Sequence, residues 1–476
     1  MEDFETTYFF YDLETSGLSP KNDRIMQFAG IRTDLEFNQI GEPIDILVKL
    51  SDDTLPSPGA INVTGITPQK TVMDGISEPE FCKFVTEEIF TPGTIEIGYN
   101  SIRFDDEHMR YTFYRNFYDP YEWQWKDGRS RWDLLDVVRM VRALRPEGIN
   151  WPVTKIEKDG EIIEKPNNRL ENLTKENNLP HEHAHDALSD VEALISVTKM
   201  IKEKQPKLFD YLFNIRNKKA IERQFMLSSK TPLVYTTGRY PSKYWHTSVV
   251  LPLCSLGQGK ALVYDLRYNL DELLEKEKKA DPEEKPFSWY PIVKEFGFNK
   301  CPSIAPTGVL DAEAEPGKTG WERISLDKET VKKNLESLKN HPEFRDRMKK
   351  LFEDKREAFE TDKDVDGQLY NGFFSDADRL KIKDIPGRNA TELADYHPIF
   401  DDPRLSELLF HYKGRNFPDS LDEDEAKKWH EYRIARLQSQ EKEFVAELER
   451  LQDEMDPDVL EELLLWYQSL GSEDYE

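Results

Sequence analysis

Phe9-Phe10-Tyr11-Asp12-Leu13-Glu14-Thr15 is an apolar run that ends in two carboxylates separated by one leucine. Along a strand successive side chains point to opposite faces, so Asp12 and Glu14 share a face about 6.6 Å apart while Leu13 turns to the core. Like charges at the end of a buried strand are costly unless something positive sits between them, and a hard divalent cation with oxygen ligands meets that need. A strand running out into solvent, where acids are ordinary, accounts for the same residues.

Further carboxylates follow in contexts that lead back to the same place. Thr94-Ile95-Glu96-Ile97-Gly98-Tyr99 alternates as a strand and passes through Asn100 into Phe104-Asp105-Asp106-Glu107. There a helical pattern begins, with Met109, Phe113 and Phe117 at i+4 spacing as its buried stripe. Acids in a first helical turn also complement the helix dipole, an account that leaves one of them free to face inward. The third piece is His185-Asp186-Ala187-Leu188-Ser189-Asp190-Val191, whose Leu188 and Val191 continue with Leu194 and Val197 as a helical stripe. Residues five apart on a helix differ by about 140°, so His185 and Asp190 converge only if the helix starts between them. Asp186 is the natural N-cap, with His185 on the loop before it. A rival reading takes His181, His183 and His185 as a metal cluster, but no cysteines accompany them and the loop is polar.

In order and context these pieces resemble the DEDDh family of 3'-to-5' exonucleases on a ribonuclease-H-like fold, with its D-x-E, F-D and H-x-x-x-x-D elements. The match carries Asp12, Glu14, Asp105 and Asp190 as metal ligands and His185 as the group that takes a proton from the attacking water. The resemblance implies two magnesium ions, with manganese able to substitute.

The totals set bounds on this reading. At 476 residues the chain makes two or three domains on a prior of roughly 150 residues each. A basic-apolar leader and any run of about 18 apolar residues are missing from the sequence, so a soluble, cytoplasmic protein is expected. Cys82, Cys254 and Cys301 are scattered and odd in number, which fits a reducing compartment. The 65 basic and 92 acidic residues give a net charge of -27, which argues against generic charge-driven binding to nucleic acid. A polyanion would need a locally basic cleft. One candidate is Trp123-Gln124-Trp125-Lys126-Asp127-Gly128-Arg129-Ser130-Arg131-Trp132, where aromatics interleave with cations as in single-strand platforms, unless these tryptophans pack in their own domain.

Residues 1–205 read as an α/β unit, with strands near 7–13, 24–34 and 44–50, a turn at Thr64-Gly65-Ile66-Thr67-Pro68, a hairpin across Ile156–Ile163 and a helix over 170–178. Residues 206–355 change to short β-like runs at 233–236, 249–253 and 261–264, followed by helices. Glu353 to Asp366 is charged and poorly patterned and reads as a linker into a helical unit, 356–476. There Ser420 with Glu423 matches a capping box, and Asp456-Pro457 an N-cap with proline at the first helical position. Leu460, Leu463, Leu464 and Tyr467 form the apolar face, and the segments read as short and broken, favouring a packed helical domain over a coiled coil.

The resemblance extends along nearly the whole chain to the branch of the family that degrades single-stranded DNA. It is carried by Tyr99-Asn100, Arg103-Phe104-Asp105-Asp106-Glu107, Arg131-Trp132-Asp133, Arg145-Pro146-Glu147-Gly148, Asn299-Lys300-Cys301-Pro302 and Gln368-Leu369-Tyr370-Asn371-Gly372-Phe373-Phe374. It implies an SH3-like middle domain and a helical C-terminal domain closing a clamp around the strand, a role in DNA repair and recombination, and a monomer. Thr15, Arg103, Trp125, Arg129, Arg131, Arg145, Lys243 and Tyr244 are the expected DNA contacts. Tyr211 and Lys230 are expected to help dock the C-terminal tail of single-stranded DNA-binding protein. An exoribonuclease, or a catalytically silent single-strand clamp, are the alternatives.

Overall fold

The computed structural model describes all residues except 1–3, 159, 182–185, 228–230, 282, 284, 358–361 and 472–476, and additionally leaves out the side chains of 158, 226, 227, 356 and 357. Two compact units emerge. One gathers residues 1–130, 182–192 and 361–476, the other 131–181 and 193–360.

The first unit is built on a sheet of strand order β3-β2-β1-β4-β5, where β1 is Thr7–Thr15, β2 Ile25–Thr33, β3 Ile44–Leu47, β4 Thr94–Gly98 and β5 Ser130–Asp133. The last of these begins at the residue where the chain leaves the unit. β1 is central, antiparallel to β2 and parallel to β4, with Phe10 beside Ile97. Parallel neighbours end on the same side, so the segment that follows β4 starts at the edge of the sheet where β1 delivers Asp12 and Glu14. The turn out of β4 is tight: a Cβ on Gly98 would lie 2.4 Å from that of Ser101, so no side chain fits there. The Asp105–Arg115 helix follows, with Met109 and Phe113 fully buried in a core with Phe9, Tyr11, Leu13 and Phe28.

The C-terminal helices complete this unit. Leu437, Phe444, Leu448 and Leu463 share a core with Met26, Leu50 and Ile61, and Leu405, Leu408 and Tyr412 share another with Tyr111, Tyr114 and Phe117. Beneath them lies a network of buried charge. Arg415 Nη2 sits 2.7 Å from both Asp53 Oδ2 and Asp366 Oδ2, Arg24 reaches Asp366 at 3.4 Å, and Arg436 meets Asp364 at 2.8 Å. Burial pushes the Asp53 carboxyl up, yet Arg415, Arg24 and Arg436 outweigh it and hold it well below the usual carboxylate range. Asp366 is held low in the same way, by Arg415, His411 and Arg24 against its burial.

Three local expectations need correction. The expected linker is helical at its start, because Met348 and Phe352 are buried on one stripe and carry the Phe344–Glu357 helix onward; at its end Val365–Gly367 is a buried 3-10 turn. The capping box is Asp422 with Glu425, not Ser420 with Glu423: Ser420 Oγ donates to Phe417 O at 2.6 Å, closing a separate turn, and Asp422 then caps a single helix, Glu423–Leu451, of 29 residues rather than short broken segments. Leu464 is half out of the apolar face, 36% exposed, while Leu470 is buried there. The Asp456 cap holds, with Asp458 N donating to its carboxylate at 2.9 Å ahead of the Pro457–Gly471 helix.

The second unit contains a hairpin of β6, Val153–Lys158, with β7, Glu161–Pro166, placing Ile156 opposite Ile163 as the pattern predicts. Its main sheet is antiparallel, in the order β11-β10-β9-β8-β12, from Leu233–Thr236 (β8), Thr247–Gly257 (β9), Lys260–Asp265 (β10), Val293–Gly297 (β11) and Ser303–Pro306 (β12). Among the described residues no helix is long and apolar enough to cross a membrane.

Candidate active site

Strand alternation does at β1 what the sequence predicts: Leu13 is buried, and Asp12 and Glu14 turn together to the other face, each half-buried. The third acid comes from the Ala187–Lys204 helix. Its cap is Asp186, whose carboxylate accepts from Ser189 N at 3.0 Å, and this start sets Asp190 in the first turn. Asp12, Glu14 and Asp190 each offer an oxygen within 4.8 Å of the others. Asp105, first residue of its helix and 3% exposed, is buried beside the end of β4 but does not join this close group. His185 lies outside the described residues.

The electrostatics of the trio are those of an incomplete set. Burial and the charge of Asp190 push the Asp12 carboxyl up to about 8, and burial, Asp12, Asp190 and Asp186 push Glu14 up to about 9. Three carboxylates sharing one point cannot all ionise at neutral pH without a cation among them. An all-oxygen, half-exposed donor set of this kind fits a hard divalent ion. Asp364, Asp366 and His411 also converge closely, but guanidinium groups already answer those carboxylates, so that cluster fits no ion.

The remaining expected contacts are diverse. Thr15 is buried, its hydroxyl donating to Gly17 O at 2.7 Å, while Arg103 is exposed. Trp123 is core, 4.7 Å from the Phe90 ring, whereas Trp125 is 64% exposed. Arg129 donates to Phe90 O and Lys126 O, and Arg131 to Asn299 O, so both guanidinium groups serve their own fold. Arg145 donates to Val309 O at 3.0 Å. Lys243 is exposed over the Tyr244 ring, which also carries Arg267 at 3.6 Å. Tyr211 is half-buried, and Lys230 lies outside the described residues. Sequence reasoning missed two partners near the acids. Tyr11 donates to Asp106 at 2.6 Å, and Tyr370, 263 residues away, donates to Glu107 at 2.6 Å. The first joins positions 95 residues apart, and both are legible only from the fold.

A ribonuclease-H-like sheet whose central strand carries an acid pair, met by a third acid from a capped helix, defines a metal-dependent nuclease domain of the 3'-to-5' exonuclease class. Family models agree along the chain: "Exonuclease" matches residues 9–198, "Exonuclease I SH3-like domain" 216–354 and "Exonuclease I C-terminal domain" 363–470. Exodeoxyribonuclease I of Haemophilus influenzae is 43% identical over 457 residues, covering 94% of this chain and 93% of that protein. The Escherichia coli enzyme is 41% identical, covering 90% of this chain and 89% of its own length. The structure of E. coli exonuclease I with a dA16 oligonucleotide superposes with a TM-score of 0.87 at 38% identity, covering 98% of this chain and 99% of that one. An SSB/exonuclease I structure with the inhibitor CFAM gives 0.83 at 37%, covering 98% of this chain and 100% of that one. The chain belongs to the bacterial exonuclease I family.

Proposed function

We propose that this chain removes 5'-mononucleotides from the 3' end of single-stranded DNA, as a cytoplasmic, monomeric enzyme of DNA repair and recombination. The observation that carries this reading is the convergence of Asp12, Glu14 and Asp190, with Asp12 and Glu14 pushed up by burial and by the charge of neighbouring acids, on a chain that belongs to the exonuclease I family. Asp12, Glu14, Asp105 and Asp190 are its metal ligands, for two magnesium ions that manganese can replace. Bound there, divalent ions supply the positive charge that an in-line displacement at phosphorus requires. His185 accepts a proton from the attacking water, the P–O3' bond breaks, and the departing 3' oxygen is protonated. An imidazole titrating near neutrality suits that task. The division 1–205, 206–355 and 356–476 then corresponds to nuclease, SH3-like and helical parts. Arg103, Trp125, Lys243 and Tyr244, among the expected DNA contacts, retain exposed or half-exposed surface for the strand.

The tail of single-stranded DNA-binding protein, acidic with an apolar end, is the proposed partner of the second unit. Tyr211 and Lys230 were its expected contacts. A groove in the same unit pairs apolar Pro232, Trp321, Val331 and Leu335 with Lys328 and Lys332, the combination such a tail needs. Asp311 there is already paired with Lys328 at 2.8 Å.

The test is incubation of 3'-labelled and 5'-labelled single-stranded DNA, duplex DNA and RNA with magnesium or with chelator. Magnesium-dependent loss of the 3' label, much faster on single-stranded DNA than on duplex or RNA, is expected; equal rates on duplex and single strand would refute the reading.

A further inference from the structure

Glu14 leaves β1 at an irregularity. It pairs with Gln27, yet Thr15 pairs with Ile25, so Met26 is the extra residue of a bulge in β2. A bulge interrupts the ladder and re-aims the side chains beside it, so regular pairing alone does not set the direction of the Glu14 carboxylate. The hold on the strand end has to come from beyond the bulge.

Asp23, two residues before β2, supplies it. Its Oδ1 accepts from Ser16 Oγ at 3.2 Å and its Oδ2 from Ser19 N at 2.7 Å, so one carboxylate closes the loop between β1 and β2. Ser16 accepts from Arg24 N on its hydroxyl oxygen at 2.9 Å and gives its own N–H to Arg24 O at 2.8 Å, which ties the two strands together again past the bulge. The packing is tight: a Cβ on Gly17 would lie 2.6 Å from all three atoms of the Asp23 carboxyl, so only glycine leaves that group where it is.

The same loop reaches both elements that deliver acids. Thr15, the residue after Glu14, donates its hydroxyl to Gly17 O at 2.7 Å, and Arg115, from the helix that starts at Asp105, donates to Pro20 O at 3.3 Å. Asp34 does comparable turn-closing work at the far end of β2, where Thr33 pairs with Tyr8: its Oδ1 accepts from Glu36 N at 2.9 Å and Asn38 N at 2.8 Å. Only the first of these two aspartates stands at the end where the trio converges. Its carboxyl is half-buried, and that burial pushes it up despite the bonds it accepts, so the loop is closed there at a cost.

We propose that Asp23 is a positioning residue for metal binding: through Ser16 and Ser19 it fixes the bulged end of β1 and so aims the Glu14 carboxylate at the point shared with Asp12 and Asp190. This deepens the nuclease reading above and rests on it. Asp23 is no ligand, since both of its oxygens are engaged by its own loop.

The experiment titrates magnesium into the full chain by calorimetry with a non-hydrolysable dT16 analogue present, alongside KM and kcat on dT16 and urea unfolding in chelator. Asp23→Ala should weaken magnesium binding and lower kcat by about 10- to 100-fold, the range for losing a support behind a metal ligand, with KM for dT16 near the wild-type value. Asp23→Asn keeps an acceptor for Ser19 N and offers Ser16 Oγ an N–H in place of an oxygen, so it should restore both. Asp34→Ala is the matched control and should lose stability in urea with magnesium binding and kcat unchanged. If Asp23→Ala behaves as Asp34→Ala does, its role is structural only and the proposal is refuted. An Asp23→Asn variant as impaired as Asp23→Ala refutes it too. Should Asp23→Ala fail to fold, Ser16→Ala removes one of the two bonds: weakened magnesium binding supports the proposal and wild-type binding overturns it. Wild type that binds magnesium but shows no magnesium-dependent turnover refutes the nuclease reading, while the binding comparison still decides the role of Asp23. Wild type that binds no magnesium refutes both.

Discussion

Two clusters of buried or half-buried acid lie in one compact unit and have opposite chemistry. Around Asp53, Asp364 and Asp366 every carboxylate meets a guanidinium, and Asp53 and Asp366 are held well below the usual carboxylate range. Around Asp12, Glu14 and Asp190 the dominant influences are burial and other acids, and Asp12 and Glu14 are pushed up. The first cluster is finished by the chain itself and serves the fold. The second sets acid against acid at a cost to the fold, and perturbed carboxyls of that kind mark function.

The largest effect should come from removing an acid of the trio. Asp12→Ala should abolish turnover and weaken metal binding, measured by calorimetry with a non-hydrolysable DNA analogue, while the chain still folds in chelator. Normal binding of two metals by this variant would end the comparison. His185→Ala should lower turnover by about 10² to 10⁴-fold, the usual range for a general base, with metal and DNA binding largely intact. Near-full activity across pH 6 to 9 would remove His185 from that role.

Asp53→Asn tests the other cluster. It strips a partner from the buried Arg24 and Arg415, so unfolding in urea should show a loss of about 3–5 kcal/mol, while the folded fraction keeps its activity. The smallest and most discriminating effect is with pH. In chelator the folded Asp12 and Glu14 stay protonated up to about 8 and about 9, whereas the unfolded chain ionises them near 3.8 and 4.5. The folded state holds more protons in that window, so this cluster subtracts stability as pH rises, and Asp12→Asn or added magnesium should flatten that decline. Asp53 and Asp366 have folded values below their unfolded ones, so they stabilise above the ordinary carboxylate range and lose that contribution as pH falls through their folded values. Urea midpoints from pH 3 to 9 resolve both limbs. Magnesium binding near neutral pH should release protons, seen as a calorimetric heat that changes with buffer.

Much of the trio was readable in sequence because its determinants are local: alternation at Asp12-Leu13-Glu14, and a helix that starts at Asp186. The guanidinium network was not, because Arg24, Asp53, Asp366, Arg415 and Arg436 are scattered and no periodicity links them. The stretch ending at Asp366 looked like linker for the same reason: it is charged, and only the distant partners of Asp366 bury its end. Ser420 misled because two capping sequences lie two residues apart and the backbone turn at Phe417 decides between them.

Biosynthesis gives the network a further consequence. Arg24 and Asp53 leave the ribosome early, and the partners that neutralise them, Asp366, Arg415 and Arg436, arrive more than 300 residues later. At roughly 5–20 residues per second, Asp53 waits on the order of 20–70 s for Arg415. A chain released before residue 366 therefore carries every acid of the trio in a unit that lacks its C-terminal support. Such a fragment leaves Met26, Leu50 and Ile61 without the C-terminal side chains that cover them in the finished chain.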